Sequence, residues 1–167
     1  MAASESSANY LLLRIVRDIA DYQFGRGVGE RLFPDNCKVE ISKRTRRPKY
    51  IYLEGEILAT IRYPDNLLAL TLAGARRLLE IAGGSALKVI VKKRAVEKVR
   101  KGMSPLARDV AHYDERIRPG DEVLILDEEG KLLAVGRAVV SGPTFKGLER
   151  GVVVKIRKRV KEDQVQT

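Results

Sequence analysis

Residues 117–141, IRPGDEVLILDEEGKLLAVGRAVVS, decide how this chain is read. Pro119-Gly120 opens a turn, because proline presets one central dihedral and glycine tolerates the other. EVLIL is then a short apolar strand. Asp127 to Gly130 is the next turn, and KLLAVGRAVVS (131–141) is a longer strand with Gly136 inside it. A glycine within a strand marks a bulge or a barrel corner. Downstream, SGPTFKGLERG crosses over to a closing strand, VVVKIRKRV (152–160). Upstream lie a strand LKVIVK (87–92), a short basic helix RAVEKVRKG (94–102) stopped by Gly102, the loop GMSPLARD and a strand VAHY (110–113). Short strands with internal glycines predict a small closed or nearly closed barrel.

The first half has a different grammar. Residues 1–8 read as a loose tail. In YLLLRIVRDIADYQ (10–23) the apolar positions Leu11, Leu12, Ile15, Ile19 and Tyr22 have helical spacing and predict one buried face. Three glycines in FGRGVGE end that helix. CKVEI (37–41) alternates as a strand, KRTRRPK (43–49) is a basic loop, and YIYLEGEILATIRY (50–63) predicts a hairpin turning near Glu54-Gly55. LLALTLAGARRLLEIAG continues as a strand running into a helix over 72–82, which Gly83-Gly84 terminates at a domain boundary. The expected architecture is α+β: a tail over 1–8, a helix-plus-sheet domain over 9–85, a β pseudo-barrel over 86–160 and a frayed tail over 161–167.

The 167 residues are 44% hydrophobic, enough for a core and for two small domains. No apolar run is long enough to span a bilayer, and the N-terminus lacks the basic start of a signal peptide, so an intracellular, cytoplasmic location is expected. One cysteine, Cys37, and one histidine, His112, exclude a disulfide framework or a cysteine-rich zinc site within the chain. The net charge of +10 is uneven: 13 basic and 10 acidic residues fall in 1–86, against 19 basic and 12 acidic in 87–167. Such an excess on a small domain attracts polyanions, nucleic acid first.

The 117–141 stretch, followed by KGLERGVVVKIRKR, resembles the signature of a PUA domain, most nearly the one at the C-terminus of archaeosine tRNA-guanine transglycosylase. VIVKKRAVEKVRKGMSP fits that domain's first strand, first helix and RNA-facing loop. IADYQFGRGVGERLF, KVEIS, ILATIR and LALTLAGARRLL are similar to the small domain that precedes it. Together the matches cover about residues 10–160. The transglycosylases also carry a catalytic barrel with an aspartate nucleophile and a cysteine-and-histidine zinc site. The present residues have no room for the one and no ligands for the other. The resemblance therefore implies the tRNA-handling end of the enzyme without its chemistry, and no cofactor or metal. Ser104-Pro105 departs from the bulkier or amide residues expected after the loop glycine.

Candidate RNA contacts follow. Arg100, Lys101 and Gly102 at a helix C-terminus read, from spacing alone, as an ordinary glycine cap; the resemblance favours phosphate contact there. In the closing strand a period of two places Lys155, Arg157 and Arg159 on one face, either a phosphate-binding stripe or a solvated edge protected by charge. Arg108 and Arg137 join on the same logic. Lys43, Arg44, Arg46, Arg47 and Lys49 are a possible second contact or a solvated loop. The glycines of GRGVGE follow a helix rather than a strand, so they do not fit a nucleotide-binding fingerprint. Asp35 and Asp65 follow prolines and read as turn residues, and no catalytic residue is assigned. The leading expectation is a non-catalytic protein binding structured RNA, tRNA near its acceptor stem and 3′ end. The alternatives are a detached subunit docking on a separate tRNA-modifying enzyme, and a free-standing RNA-modifying enzyme.

Overall fold

The computed structural model describes residues 2–82 and 86–161, with side chains from residue 4. It divides into two compact units, Met1–Ser85 and Ala86–Thr167. Among the described residues no helix is long and apolar enough to cross a membrane.

In the first unit, helix α1 (Ala2–Phe24) ends where Gly25 and Gly27 take positive φ, and a short α2 (Val28–Leu32) follows. Four antiparallel strands then form a meander in the order β1 (Lys38–Ile41), β2 (Pro48–Leu53), β3 (Glu56–Ile61), β4 (Leu68–Leu70). The β2–β3 turn falls at Glu54-Gly55, both left-handed, the geometry that matches strand twist in a two-residue hairpin. Helix α3 (Leu72–Ala82) is capped by Thr71, whose hydroxyl accepts from the Gly74 N–H at 3.1 Å. A side chain at Gly74 would overlap the Leu58 carbonyl, so glycine sets how closely α3 approaches β3. Leu13, Val16, Ala20, Phe24, Phe33, Ile51, Leu68, Leu70 and Leu78 are buried.

Three expectations need correction here. Residues 2–8 are not a loose tail but the first turns of α1. The Asn9 amide donates to the Cys37 carbonyl and its oxygen accepts from the Val39 N–H, which anchors the helix beside β1, and no glycine or proline interrupts the turns before it. The buried face of α1 is Leu13, Val16, Ala20 and Phe24, while Leu11, Ile15 and Tyr22 are exposed. Periodicity finds an apolar stripe, but this helix carries an apolar arc wider than its own unit covers. The basic loop is also shorter than expected, since Pro48 and Lys49 belong to β2. The predicted stop at Gly83-Gly84 and the tail beyond Lys161 lie outside the described residues.

The second unit is a pseudo-barrel. Strands β5 (Lys88–Val91), β6 (Val110–Tyr113), β7 (Glu122–Leu126), β8 (Leu132–Ala138) and β9 (Val154–Arg159) form a sheet in the order β6-β5-β7-β8-β9. Only β5–β7 is parallel. After β5 come a 3₁₀ turn (Lys93–Ala95) and α4 (Val96–Arg100); a second 3₁₀ turn (Ala107–Asp109) precedes β6, and α5 (Gly142–Phe145) lies in the crossover to β9. Every residue of β7 and all of β8 but Arg137 is buried, as expected of strands covered on both faces. At Gly136 a Cβ would overlap the Lys155 carbonyl and lie 2.9 Å from Val154 Cγ1, so glycine allows the β8 and β9 backbones to approach. The short α2 and α5 were not foreseen, because a helix of one turn shows no periodicity to detect.

Candidate nucleic-acid interface

The loop after α4 is built as a Schellman cap. Gly102 has φ 89°. Its N–H bonds to the Val99 carbonyl at 2.9 Å, and the Met103 N–H reaches the Lys98 carbonyl at 3.0 Å. The Arg159 guanidinium donates to the Arg100 carbonyl, and its Nε stands 3.2 Å from where a Gly102 Cβ would be. Arg159 thus lies across the glycine and completes the helix cap with a cation, favoured by the helix dipole. Arg100 is paired with Glu97 at 2.7 Å. Lys101, Gly102 and Met103 remain exposed.

Two further bonds set the loop's position. Ser104 Oγ accepts from the Ile156 N–H at 3.1 Å, tying the loop to β9. The small hydroxyl that departs from the expected pattern therefore fits a specific backbone donor. Asp109 accepts from Lys98 at 2.7 Å and from the Leu106 N–H at 2.9 Å. Burial opposes ionisation of Asp109, but these partners outweigh it and hold the carboxyl below its usual range.

The closing strand differs from a simple stripe. In the β8–β9 register Val135 pairs with Lys158 and Gly136 with Ile156, so Arg157 is passed over at a bulge and the alternation breaks there. Arg157 is half-buried and its guanidinium meets the Glu122 carboxylate, which is fully buried, at 2.6 Å. Lys155 is exposed and lies across from Arg137. Lys158, which strict alternation would put on the opposite face from Lys155, is also exposed. The predicted residues thus fall into three groups: Arg100, Lys101 and Gly102 with Arg159; Arg137 and Lys155 beside Arg157; and Arg108 in a groove with Glu149, Arg150 and Gly151. Arg150 is an exposed cation that the sequence reading missed.

Residues 14–85 match the patch-forming domain C2 of tRNA-guanine transglycosylase, and residues 87–160 match the PUA domain. The chain is a C2–PUA domain pair. It is 40% identical to the tRNA-guanine(15) transglycosylase of Pyrococcus furiosus over 96% of its own length, but spans only 28% of that enzyme. In fold it is similar to a hypothetical protein of Pyrococcus horikoshii OT3 (TM-score 0.69, 21% identity, 91% of this chain and 92% of that one). It is also similar to a conserved PUA domain protein of Thermoplasma acidophilum (TM-score 0.62, 18% identity, 90% and 89%).

In the C2 domain the second basic cluster is a closed turn. The Ser42 N–H reaches the Arg47 carbonyl at 2.8 Å and the Arg46 N–H the Ser42 carbonyl at 2.8 Å. Arg47 lies 5.3 Å from the Tyr63 ring centroid and Lys49 lies 4.7 Å from that of Tyr50. Lys43, Arg44 and Arg46 are exposed. The Arg47–Tyr63 pairing was not visible in the sequence, since Tyr63 follows the far end of β3. Asp35 meets Arg17 at 2.8 Å, and Asp65 pairs with Arg62 and accepts from the Leu67 N–H, as turn residues do. Burial pushes the Cys37 thiol up to about 11, with Arg77 and Arg17 offsetting part of the effect, which is the opposite of an activated nucleophile. Among the described residues no group of three or more His, Cys, Asp or Glu could hold a metal ion.

Proposed function

We propose that this C2–PUA pair binds structured RNA without acting on it, and that its ligand is tRNA gripped near the acceptor stem and 3′ end. The observation that carries the reading is the Gly102 loop. It is fixed by Arg159, Ser104 and Asp109, while Lys101, Gly102 and Met103 stay exposed at its tip. A loop ordered before binding loses little entropy on meeting its ligand. Lys101, Lys155, Lys158, Arg108 and Arg150 supply phosphate contacts that position rather than specify. Arg159 and Arg157 serve the site by holding the loop and the β9 bulge. The likeness to a tRNA-guanine(15) transglycosylase supports tRNA as the RNA. It also supports a second reading, in which the pair works alongside a tRNA-modifying enzyme.

The test is a titration of bulk tRNA, intact and with its 3′ CCA removed, at several salt concentrations. Tight binding that falls on trimming is expected. Lys101→Glu should weaken it several-fold and lower the slope of log K against log salt by about 1. Binding indifferent to trimming reduces the claim to general polyanion affinity, and no binding at low salt sinks it. A tRNA nucleoside changed after incubation would overturn the non-catalytic part.

A further inference from the structure

Among the described residues nine large apolar side chains are substantially exposed, and four of them, Tyr10, Leu11, Ile15 and Tyr22, lie on α1. At roughly 100° per residue, Leu13, Val16, Ala20 and Phe24 share one face, and that face is buried in the C2 domain. Leu11, Leu12, Ile15, Ile19 and Tyr22 form the adjoining face. Leu11 is 60% exposed, Ile15 52% and Tyr22 79%, while Leu12 and Ile19 at the inner border are half-buried. Ala8, Leu12, Ile15, Ile19 and Tyr22 follow the alternating four-and-three spacing of a helix-pairing seam. A groove that takes in Ala8, Leu12, Val39 and Ile41, with the charged Glu5 and Lys38 also in its lining, leads from this surface onto the edge strand β1. A contiguous, regularly spaced apolar face of this kind marks a protein contact rather than scattered surface residues.

We propose that this face of α1 docks against the same face of a second copy of the chain, with the two helices antiparallel. The charges on its outer border select that occupant. Arg14 and Asp18 are exposed and one turn apart. A two-fold axis near Val16 sets Arg14 against Asp18 of the partner subunit and Asp18 against Arg14 of the partner subunit. A parallel copy would oppose like charges instead. The spacing is that of a helix packing on a helix, and the helix that carries it is present in every copy. Residues 1–86 carry a net charge of only +3, so two C2 domains repel weakly where two PUA domains, at +7 over 87–167, would not. RNA is a poor occupant, because Arg14, Arg17 and Arg26 beside the stripe are balanced by Asp18, Asp21 and Glu30. A bilayer surface is another, because that rim carries no excess of positive charge.

The test is sedimentation equilibrium of the full chain over a concentration series reaching on the order of 100 µM. A monomer–dimer equilibrium is expected. The Leu11→Glu, Ile15→Glu double variant should raise its dissociation constant at least ten-fold, with circular dichroism unchanged and, at a dilution where both proteins are monomers, an unchanged melting temperature. Arg14→Asp alone should weaken the dimer several-fold, and adding Asp18→Arg should restore it, which no effect on folding would do. A monomer at every concentration overturns the proposal and leaves the stripe to a different protein. A dimer that all of these variants leave intact overturns it as well.

Discussion

The C2 and PUA domains are close in size and solve opposite surface problems. The PUA domain gathers its core in one cluster that includes Val89, Val91, Val99, Ile117, Val123, Ile125, Leu133 and Val153, leaves only scattered apolar residues such as Met103, Val139 and Val152 exposed, and carries the larger part of the charge excess. The C2 domain leaves an apolar stripe of its longest helix, with Leu11, Ile15 and Tyr22, exposed on a nearly balanced surface. A barrel can close on itself, so every strand face finds a neighbour. A long helix on a four-stranded sheet cannot, because the sheet reaches only one side of it. The difference lies in what each half leaves at its surface: an excess of charge on one, an apolar stripe on the other.

The sharpest way to break the contrast is to open the barrel. Gly136→Val places a side chain where the Lys155 carbonyl and Val154 already sit. It should cost the PUA domain roughly 3 kcal/mol and leave the C2 domain folded, giving two separate transitions in thermal unfolding followed by circular dichroism. A single unshifted transition would show that β8 and β9 do not need the close approach.

Arg157 separates holding from touching. Arg157→Met removes the guanidinium that meets the buried Glu122 carboxylate and should destabilise the PUA domain by about 3 kcal/mol. Lys155→Met, two residues away and exposed, should leave stability unchanged and lower only RNA affinity. Urea unfolding and tRNA binding of the two variants distinguish these outcomes, and equal stability losses would erase the distinction drawn between the two cations.

Alkaline pH offers a smaller effect in each half. Burial raises the Cys37 thiol from 9.0 to about 11. In the PUA domain burial raises the Tyr113 hydroxyl, which donates to the Val140 carbonyl, from 10.0 to about 12. In both cases the unfolded chain gives up its proton first. Stability is therefore full below the unfolded value and is lost as pH rises through the folded one. The C2 domain should weaken between pH 9 and 11 and the PUA domain between 10 and 12, each by ~2–3 kcal/mol at most. Cys37→Ser should flatten the first loss and Tyr113→Phe the second when unfolding is followed against pH.

Much of this was legible in the chain. Turn chemistry placed the Glu54-Gly55 hairpin and the Pro119-Gly120 and Asp127–Gly130 turns, because positive φ and preset dihedrals are demands of single residues. Gly102 announced a cap for the same reason, and Gly136 a bulge, which the register shift beside it shows. What stayed hidden depended on neighbours distant in sequence. The α1 pattern could not say which part of its apolar arc faces the sheet, since that is settled by the Asn9 clamp on β1. The period of two could not show that Arg157 is skipped at a bulge and drawn to Glu122, 35 residues away. Arg159 crossing Gly102 joins positions 57 apart. Local dihedral preference and hydrophobic pattern determined the elements and the excess of charge. Only tertiary structure decided which cations hold the loop, which stay exposed, and which stripe of a helix is left uncovered, because strand register and helix rotation are fixed by packing among residues the chain order keeps apart.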